Sequence, residues 1–371
     1  MNRQHQKVIG FLGGGQLGMM IAACAKQWGY RVHSYDEHED VSICSYTDKH
    51  IVGRFNDYEA MDAFCQTCDV ITYEFENIDS TVVERLALKH AIPQGSKALW
   101  YASNRVREQA FAKSLAIRTL DSIVVRSSDE LASAAKKLGF PLISKSVVLG
   151  YDGHGQMRFD SEADFESYPD QLESILQRFI PLDMEVSVIV VRGSDTVRCF
   201  EPIENIHTQS ILDYSISPAR LDPALKQEIL EASIKVVSAL DYQGVMALEF
   251  FISGGVVYFN EMAPRVHNSG HLTHEACNCS QFAMHLHSIC QHPLPRIIQP
   301  YEAIMVNVLG ENYRCLDRIN EVALDSAAAI HDYHKDQMKR NRKMAHVTLV
   351  SDSRQQVLKD GMKVRDILHG K

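Results

Sequence analysis

The alternation of apolar and polar segments predicts an α/β unit at the start of the chain. The segments at 7–12, 31–36 and 70–73 read as strands, the first of them short and buried, and an amphipathic helix separates the first two. The turn GGGQLG at 13–18 opens that helix, and the acidic segment YEFEN at 73–77 closes the last of these strands. Because the carboxyl ends of parallel strands share one edge of a sheet, we expect the glycine turn and the acids to lie close together.

The pattern changes twice further along the chain, which indicates three units with bounds 1–95, 96–292 and 293–371. In the second unit we predict helices at 100–116, 128–138 and 222–240, and strands at 122–125, 140–144, 175–179, 184–191, 196–204, 245–251 and 256–262. In the third we predict strands at 302–309, 328–333 and 346–350, and helices at 316–322 and 353–358.

A glycine-rich stretch follows the predicted strand at 140–144. It runs from Lys145 to Gln156, reads KSVVLGYDGHGQ, and has three glycines within six residues. Glycine allows positive φ, so backbone N–H groups can close around an anion, and Lys145 adds a positive charge. The stretch is consistent with a phosphate-binding loop, and equally with an ordinary glycine-rich hairpin.

The predicted hairpin in the second unit carries two acids, Glu249 and Glu261, on otherwise apolar strands. A three-residue turn would place them opposite each other on one face, whereas a two-residue turn would place Asn260 opposite Glu249. Either register puts oxygen ligands side by side. Buried acids are costly unless they are neutralised, and either Mg²⁺ bridging phosphates or a salt bridge with Arg265 could neutralise them.

Two polar clusters lie beyond this hairpin. The loop APRVHNSGHLTHEA brings together Arg265, His267, Asn268, Ser269 and His271. A basic turn in the third unit contains Lys335, Lys339, Arg340, Arg342 and Lys343. The first cluster suits a loop that faces a substrate, although helix capping would use some of its groups. The second could clamp a phosphate or simply be solvated.

Composition excludes several classes of protein. The 371 residues are 45% hydrophobic and 23% charged, with a net charge of −9, which is typical of a soluble globular protein. The absence of a dense Lys/Arg stripe argues against nucleic acid or an anionic membrane as the partner. No apolar run reaches the roughly 18 residues of a membrane span, and no signal-peptide pattern precedes the first strand, so we expect a cytoplasmic protein.

The nine cysteines follow no regular disulfide framework, which favours reduced thiols. Cys65 and Cys68 form a CxxC pair, and Cys277 and Cys279 form a CxC pair near His274. A structural zinc site needs two such knuckles at suitable spacing. The cysteine pattern therefore does not predict a structural metal.

The first glycine turn also permits a different class of function. Gly13, Gly15 and Gly18 satisfy G-x-G-x-x-G, and Asp36 ends the next strand, where a ribose-binding acid would stand. A nicotinamide-dependent oxidoreductase would explain these four residues. It would leave the acidic hairpin without a purpose, and many βαβ openings meet this pattern without binding a dinucleotide.

Taken together, six motifs resemble one family. GFLGGGQLGMM, YEFEN, KSVVLGYDGHGQ, ENIHTQSIL, EFFISGGVVYFNEMAPRVHNSGHLT and RKMAHVTL, in this order, resemble the N5-carboxyaminoimidazole ribonucleotide synthetase family of ATP-grasp enzymes in purine biosynthesis. The resemblance covers nearly the whole chain. It implies α/β and α+β architecture, with an N-terminal preATP-grasp (Rossmann-like) domain, an ATP-grasp domain and a small C-terminal β-rich domain, assembled as a homodimer.

The resemblance also implies a reaction. ATP, with Mg²⁺, would phosphorylate bicarbonate to carboxyphosphate, and the 5-amino group of 5-aminoimidazole ribonucleotide (AIR) would capture the carboxyl group, releasing ADP and phosphate. A formate-dependent glycinamide ribonucleotide transformylase is an alternative within the same superfamily. A non-catalytic nucleotide-binding protein is another, and it would have lost the lysine or a metal-binding acid, both of which this sequence retains.

Carried over by motif, the resemblance implies a role for each site residue. ATP contacts are implied for Arg105, Lys145, Gly150, Tyr151, Asp152, Gly153, His154, Gly155, Gln156, Gln177, Arg178, Phe179, Ile180, Glu185, His207, Asn260 and Glu261. Metal ligation is implied for Glu249 and Glu261. AIR contacts are implied for Gln16, Leu17, Glu74, Glu76, Asn77, His267, Asn268, Ser269, Lys335, Arg342 and Lys343. Catalytic contacts are implied for Lys145, Tyr151, Asp152 and Arg265.

A few positions depart from the family pattern. Leu149 stands where a second glycine is usual, and His154 replaces a usual Lys or Arg, which would make one charge near the phosphates depend on pH. Gln177 and Arg178 replace an acidic pair at the expected adenine hinge. None of these departures removes a predicted magnesium ligand.

Overall fold

A parallel α/β unit opens the fold. The computed structural model describes residues 6–148, 155–168, 173–319, 321 and 324–370. The first elements are β1 (Val8–Leu12), α1 (Gln16–Gln27), β2 (Arg31–Asp36), β3 (Lys49–Val52), α2 (Tyr58–Cys65), β4 (Val70–Tyr73) and α3 (Ser80–Ala87). The four strands are parallel in the order β3-β2-β1-β4. Leu12 pairs with Tyr73, so the ends of β1 and β4 adjoin as predicted.

A small antiparallel sheet follows. Its elements are α4 (Lys97–Ala102), α5 (Arg105–Ser114), β5 (Ser122–Val125), α6 (Ser128–Leu138), β6 (Leu142–Ser146), β7 (Gln156–Phe159) and β8 (Ser174–Arg178). The strand order is β5-β8-β6-β7. Leu131 on α6 joins Leu142, Phe159 and Leu176 in a separate apolar core beneath this sheet. The predicted strand at 140–144 lies two residues too early, and Lys145 is part of β6 rather than beyond it.

A large antiparallel sheet contains the rest of the strands. Its elements are β9 (Met184–Arg192), β10 (Val197–Cys199), β11 (Ile203–Thr208), β12 (Ile211–Ser217), α7 (Pro223–Ala239), β13 (Gly244–Ser253), β14 (Val256–Ala263), α8 (Thr273–Ala276), α9 (Gln281–Ile289), β15 (Glu302–Leu309), α10 (Leu316–Ile319), β16 (Ala327–Asp332), β17 (Lys343–Ser351) and α11 (Arg354–Leu368). The order is β14-β13-β9-β11-β12-β15-β17-β16, with β10 paired to β9. The last three strands of the chain therefore extend the sheet that holds the acidic hairpin, because β15 bonds to β12.

The β13–β14 hairpin combines the two registers that the sequence left open. Ser253 pairs with Val256, so the turn has two residues. A β-bulge then shifts the register between Phe250 and Glu249, and Glu249 lies opposite Glu261. A bulge inserts one extra residue into a strand, which returns the next pair to the same face. The two glutamates are thus adjacent despite the short turn.

Three predicted elements differ from the structure. The helix at 100–116 is broken into α4 and α5, and the strand at 196–204 is divided between β10 and β11. Helix α11 continues ten residues beyond its predicted end at Leu358. Gly361, a poor helix former, lies in its middle because a Cβ there would come within 2.5 Å of the Ile304 side chain. Close packing on β15 thus overrides local propensity.

A buried polar network connects the parallel unit to the acidic hairpin. The Thr72 hydroxyl on β4 lies 2.6 Å from Gln94 Oε1 and 2.8 Å from His285 Nε2. The Gln94 amide donates to the Tyr242 hydroxyl at 3.0 Å, and that hydroxyl donates to the carbonyl of Pro264 at 2.8 Å. Buried networks of this kind fix geometry because each unmade bond would leave a desolvated polar group. The end of β4 is therefore held against the segment that follows β14.

None of the helices in the described residues is long and apolar enough to cross a membrane.

The pH dependence of stability tests this network. Burial lowers the pKa of His285 to about 3, and its Nδ1 accepts a hydrogen bond from Val245 N at 3.1 Å, so the folded state requires a neutral ring. As pH falls, the unfolded chain binds the proton first, so this stabilisation is complete above about pH 6.5 and is lost towards pH 3.

We expect the free energy of unfolding, from urea titrations, to fall by about 2 kcal/mol more between pH 7 and pH 5 in the wild type than in His285→Gln. The exposed residue His38 provides the control, and His38→Gln should keep the wild-type pH dependence. Equal pH dependence in wild type and His285→Gln would contradict a buried neutral His285.

Candidate active site

Charged side chains from three elements meet where the small sheet faces the hairpin. Lys145 on β6 donates from Nζ to Asn260 Oδ1 on β14 at 3.1 Å. Its ammonium group also lies 5.5 Å from the centre of the Phe251 ring. Burial, and then the Arg105 charge, outweigh the neighbouring carboxylates and lower the pKa of Lys145 to about 8. The predicted lysine thus joins the two sheets.

Arg105, the first residue of α5, binds one of the hairpin acids. Asn104 caps this helix by accepting from the N–H groups of Val106 and Arg107, which orients its first turn. Arg105 Nη1 donates to Glu261 Oε2 at 2.8 Å. Burial opposes the guanidinium charge, but the neighbouring carboxylates outweigh burial and raise the pKa of Arg105. The salt bridge predicted as an alternative therefore exists with a different arginine, since Arg265 pairs elsewhere.

Glu108, one turn along α5, is a buried acid that sequence reasoning missed. Its Oε1 accepts from Met262 N at 2.6 Å, immediately after Glu261 on β14. Burial, and then the Glu261 charge, raise its pKa well above the ordinary value. The i, i+3 spacing from Arg105 was visible in the sequence, but nothing local indicated that this helix face packs on β14.

Glu249 is the most buried of the hairpin acids. Its side chain is 16% exposed, against 40% for Glu261. Burial, followed by repulsion from Glu261, raises the pKa of Glu249 to about 7. Asn260 Nδ2 lies 3.4 Å from Glu249 Oε2, and His267 Nε2 lies 3.4 Å from Oε1. An acid pair of this kind is stable only with further positive charge nearby.

The donor set of this cluster fits a hard divalent cation. Glu249, Glu261 and Asn260 all present oxygen atoms, which Mg²⁺ prefers. The repulsion that raises the Glu249 pKa would be relieved by a cation between the carboxylates. The residues present therefore fit the magnesium that the sequence predicts.

The first glycine turn is closed by two acids. Gly15 N and Gly18 N donate to the Glu74 carboxylate at 2.7 and 3.3 Å, and Gly14 N donates to Asp36 Oδ2 at 2.8 Å. Gly13 has φ +103°, and a Cβ there would lie 2.7 Å from the Phe75 ring. Asp36 is thus engaged by the backbone of the turn, which removes the ribose-binding role required by the oxidoreductase alternative.

Glu76, the other acid of the YEFEN segment, joins the first unit to the second through Arg265. Arg265 makes a two-pronged ion pair with Glu76, in which Nη2 donates to Oε1 at 2.7 Å and Nε donates to Oε2. Bidentate pairs of this type fix orientation as well as charge. Gln16 is partly exposed and Leu17 is buried at the start of α1, and Asn77 is exposed. The predicted substrate residues of the first unit therefore surround the same edge of the sheet.

The HNSGH loop is anchored beneath the acids. His267 Nδ1 lies 2.8 Å from the Ser269 hydroxyl, which lies 2.7 Å from the Ser187 hydroxyl on β9. Burial, and then the Arg265 charge, lower the pKa of His267 well below its ordinary value, so its ring is neutral at pH 7. Asn268 is buried, and neither side-chain atom has a hydrogen-bond partner among the described residues. Its amide is available to a ligand.

A second histidine pairs with an acid on the neighbouring strands. His207 Nδ1 on β11 lies 2.9 Å from Glu185 Oε2 on β9. Burial opposes the charged ring, but the bond with Glu185 outweighs burial and raises the pKa of His207. Lys343, at the start of β17, lies close enough to lower the pKa of both His207 and His267. The basic turn of the third unit thus borders the cluster.

The other predicted basic residues bind their own turn. Lys335 Nζ donates to the Lys343 carbonyl at 2.7 Å, and Arg342 Nη1 donates to the Gln337 carbonyl at 3.0 Å. These bonds hold the turn between β16 and β17 in shape. Asp336 in this turn shares a hydrogen bond with Asp40, which raises the Asp40 pKa and places the turn beside the loop after β2.

The expected adenine hinge follows β8. Gln177 is buried and Arg178 exposed within that strand. Phe179 N donates to the Pro141 carbonyl at 2.9 Å, and the Arg158 guanidinium lies 4.5 Å above the Phe179 ring. Ile180 is partly exposed. The hinge backbone is thus anchored at Phe179. Gln177 and Arg178, the two residues that depart from the family pattern, lie within β8.

Part of the predicted phosphate loop lies outside the described residues. This applies to Leu149, Gly150, Tyr151, Asp152, Gly153 and His154. Gly155 has φ +74°, and its carbonyl accepts from Ser146 N at 2.8 Å. Gln156 pairs with Lys145 across β6 and β7. The two ends of the loop therefore return to the strand that carries the lysine.

Three family models match consecutive parts of the chain. The ribonucleotide synthetase preATP-grasp domain matches residues 6–102, the ATP-grasp domain matches residues 110–282, and the phosphoribosylaminoimidazole carboxylase C-terminal domain matches residues 303–360. These matches confirm the predicted fold class.

Curated proteins and solved structures agree with the family models. The N5-carboxyaminoimidazole ribonucleotide synthase of Bacillus subtilis strain 168 is 36% identical over 348 residues, 92% of this chain and 91% of that protein. The Staphylococcus aureus N5-carboxyaminoimidazole synthetase complexed with ADP has a TM-score of 0.91 at 34% identity, covering 98% of each chain.

A third relative carries both nucleotides. The N5-carboxyaminoimidazole synthase of Aspergillus clavatus, in complex with ADP and 5-aminoimidazole ribonucleotide, has a TM-score of 0.90 at 28% identity, covering 99% of each chain. Similarity of this extent, across sequence and structure and along the full length, identifies the family that the motifs predicted. The chain belongs to the N5-carboxyaminoimidazole ribonucleotide synthase family.

Proposed function

We propose that this chain is an ADP-forming ligase that carboxylates the 5-amino group of AIR to give N5-carboxyaminoimidazole ribonucleotide in purine biosynthesis. ATP supplies the energy, bicarbonate supplies the carboxyl group, and Mg²⁺ is the metal. The names of the relatives and their bound ADP and AIR support this function. The observation that carries it is the Lys145–Asn260 contact, which joins the two sheets beside Glu249 and Glu261.

On the nucleotide side, each group has a separate task. Lys145 and Arg105 bind the ATP phosphates as buried cations. They stabilise the negative charge on the transferred phosphoryl group. Glu185 binds the ribose, with His207 holding that carboxylate in place at 2.9 Å. The hinge from Gln177 to Ile180 receives the adenine through its backbone.

Glu249 and Glu261 are the proposed metal ligands, supported by the Asn260 side chain. These side chains would hold Mg²⁺, which would supply charge neutralisation for the ATP phosphates. Arg105 holds Glu261 in position from one side at 2.8 Å. Glu108 fixes the backbone next to Glu261, so the ligand cannot shift without breaking a buried hydrogen bond.

AIR is proposed to bind where the three units meet. Gln16, Leu17 and Asn77 face its base and ribose, while Glu74 shapes the glycine turn. His267, Asn268 and Ser269 line the opposite wall, and Glu76 holds the Arg265 side chain. The AIR phosphate is assigned to Lys335, Arg342 and Lys343. In this arrangement 1–95, 293–371 and the loop 265–269 form the AIR side, and the rest of 96–292 binds the nucleotide.

The residues in this site accelerate the reaction by placement and charge. Bicarbonate oxygen attacks the γ-phosphorus and ADP leaves; the AIR amine then attacks the carboxyl carbon of carboxyphosphate and phosphate leaves. No side chain forms a covalent bond. Arg265 is assigned to the carboxyl group, and Tyr151 and Asp152 are assigned catalytic contacts by the family resemblance. Exclusion of water from the site would protect the reactive mixed anhydride.

Two wider properties belong to the same proposal. We infer a homodimer and a cytoplasmic location, because both accompany the family resemblance, and all nine cysteines are free thiols as expected in a reducing compartment.

The reaction is tested by measuring ADP release with ATP and Mg²⁺ while AIR and bicarbonate are supplied separately and together. We expect full turnover only when both are present in a degassed buffer, with one ADP formed per N5-carboxyaminoimidazole ribonucleotide. Absence of turnover, or an equal rate without AIR, would contradict the proposal. Turnover with formate in place of bicarbonate would assign the chain to a different carboxylate–amine ligase.

The metal role of Glu261 is tested by Glu261→Ala. Loss of a ligand for the cation removes several kcal/mol of charge stabilisation, so we expect ADP release to fall about 100-fold or more. The circular dichroism spectrum should be unchanged, because the Glu261 side chain is partly exposed. Glu228→Gln on the exposed face of α7 is the matched control and should retain activity. Wild-type activity in Glu261→Ala would refute the assignment.

A further inference from the structure

Three potential metal ligands meet outside the active site. His274 and Glu275 lie on α8, and His331 lies on β16, the edge strand of the large sheet. One ligand atom from each residue lies within 4.8 Å of the other two. His331 Nε2 and Glu275 Oε1 are 2.7 Å apart. Residues 56 positions apart in the chain are thus brought together by the packing of α8 on the sheet.

The ring of His331 is held in place before any ligand binds. It lies opposite His346 in the β16–β17 register, and the two rings stack at 4.6 Å with an interplanar angle of 16°. His346 Nδ1 is in turn 2.8 Å from the buried Tyr333 hydroxyl. Metal-binding histidines need a fixed ring orientation, which a stacked and hydrogen-bonded neighbour provides.

An ordinary histidine–carboxylate pair does not account for the whole cluster. Glu275 Oε2 is buried and has no hydrogen-bond partner among the described residues. A buried carboxylate oxygen without a donor is costly, and the pair with His331 satisfies only the other oxygen. His274 contributes an exposed imidazole whose ring centre is 5.3 Å from that of His331. A cation held by the carboxylate and both rings would supply the positive charge that this buried oxygen lacks.

We propose that His274, Glu275 and His331 form a binding site for a Zn²⁺ ion. Two imidazoles and one carboxylate are a donor set that Zn²⁺ accepts in tetrahedral geometry, with a fourth position for water. The exposure of His274 leaves that position open to solvent. Ligand atoms around tetrahedral zinc are about 3.3 Å apart, so the His331–Glu275 hydrogen bond opens by roughly half an ångström when the ion replaces its proton.

This site is distinct from the proposed magnesium site. It contains imidazole nitrogens, which suit zinc better than magnesium, whereas Glu249 and Glu261 offer oxygen atoms. It also uses none of the cysteines of the CxxC and CxC pairs. Bound zinc would clip α8 to β16, the strand that leads into the turn with Lys335. The site therefore links the loop of the acidic hairpin to the C-terminal strands.

The test is a zinc titration of the full chain after EDTA treatment and its removal, with a competing chromophoric chelator and excess Mg²⁺. We expect one tight Zn²⁺ per chain, and at least a tenfold loss of affinity in both His274→Ala and Glu275→Gln. His90→Ala is the matched control, since His90 pairs with Asp62 at 2.8 Å but belongs to no group of three potential metal ligands among the described residues. Its zinc affinity should equal that of the wild type.

A second measurement separates metal binding from folding. Co²⁺ in place of Zn²⁺ should give the intense visible absorption of a four-coordinate site in the wild type and His90→Ala, but not in His274→Ala, whose unliganded circular dichroism spectrum should match the wild type. The proposal fails if the wild type binds no zinc, or if His274→Ala binds it as the wild type does. It also fails if zinc binding is lost in Glu261→Ala or in a Cys277→Ser/Cys279→Ser variant while His274→Ala retains it.

Discussion

Repulsion between two adjacent carboxylates is the constraint on which the centre of this molecule depends. Glu249 and Glu261 lie directly opposite each other on a hairpin that is otherwise apolar. Two such charges cannot remain ionised together in a low dielectric without compensation. Their surroundings provide it: Arg105 binds Glu261, Lys145 lies across the gap, and Glu249 takes up a proton more readily than an ordinary glutamate.

This compensation is incomplete in a way that suits a nucleotide and its metal. Lys145 and Arg105 are themselves destabilised by burial, and each lowers its cost by facing acids or phosphates. A Mg²⁺–ATP complex brings both signs of charge into the same space. The hydrogen bonds from Met262 to Glu108, and from Gln94 to Pro264, hold the hairpin in position. When this complex binds, the buried cations would face phosphates and the hairpin acids would face the metal.

Much of this arrangement followed from the sequence. Strand ends, the acidic hairpin and the motifs identified the fold class. The hairpin register did not follow, because a two-residue turn with a bulge places Glu249 opposite Glu261 as a three-residue turn would. Turn length alone cannot distinguish these cases, since a bulge depends on packing by both strands.

Contacts between residues far apart in the chain could not be predicted from local patterns either. Arg265 was considered as the partner of the hairpin acids, but it binds Glu76, and Arg105 occupies the expected place. Both arginines satisfy the same charge rule, and only the fold decides between them. The same holds for Asp36, whose spacing fits a ribose acid but whose carboxylate caps Gly14. The type of a residue predicts what kind of group it will pair with, but not which residue of the chain supplies that group.

The proton released when Mg²⁺ and a non-hydrolysable ATP analogue bind tests the central claim most directly. Isothermal titration in buffers of different ionisation enthalpy measures it. With the Glu249 pKa at about 7, a cation that binds both carboxylates should displace about half a proton at pH 7, where Lys145, with a pKa of about 8, takes up only about a tenth of one. At pH 8 the Lys145 uptake should outweigh the Glu249 release. Glu249→Gln should bind the analogue without this release. A wild-type chain that binds the complex at pH 7 with no proton released would contradict the account.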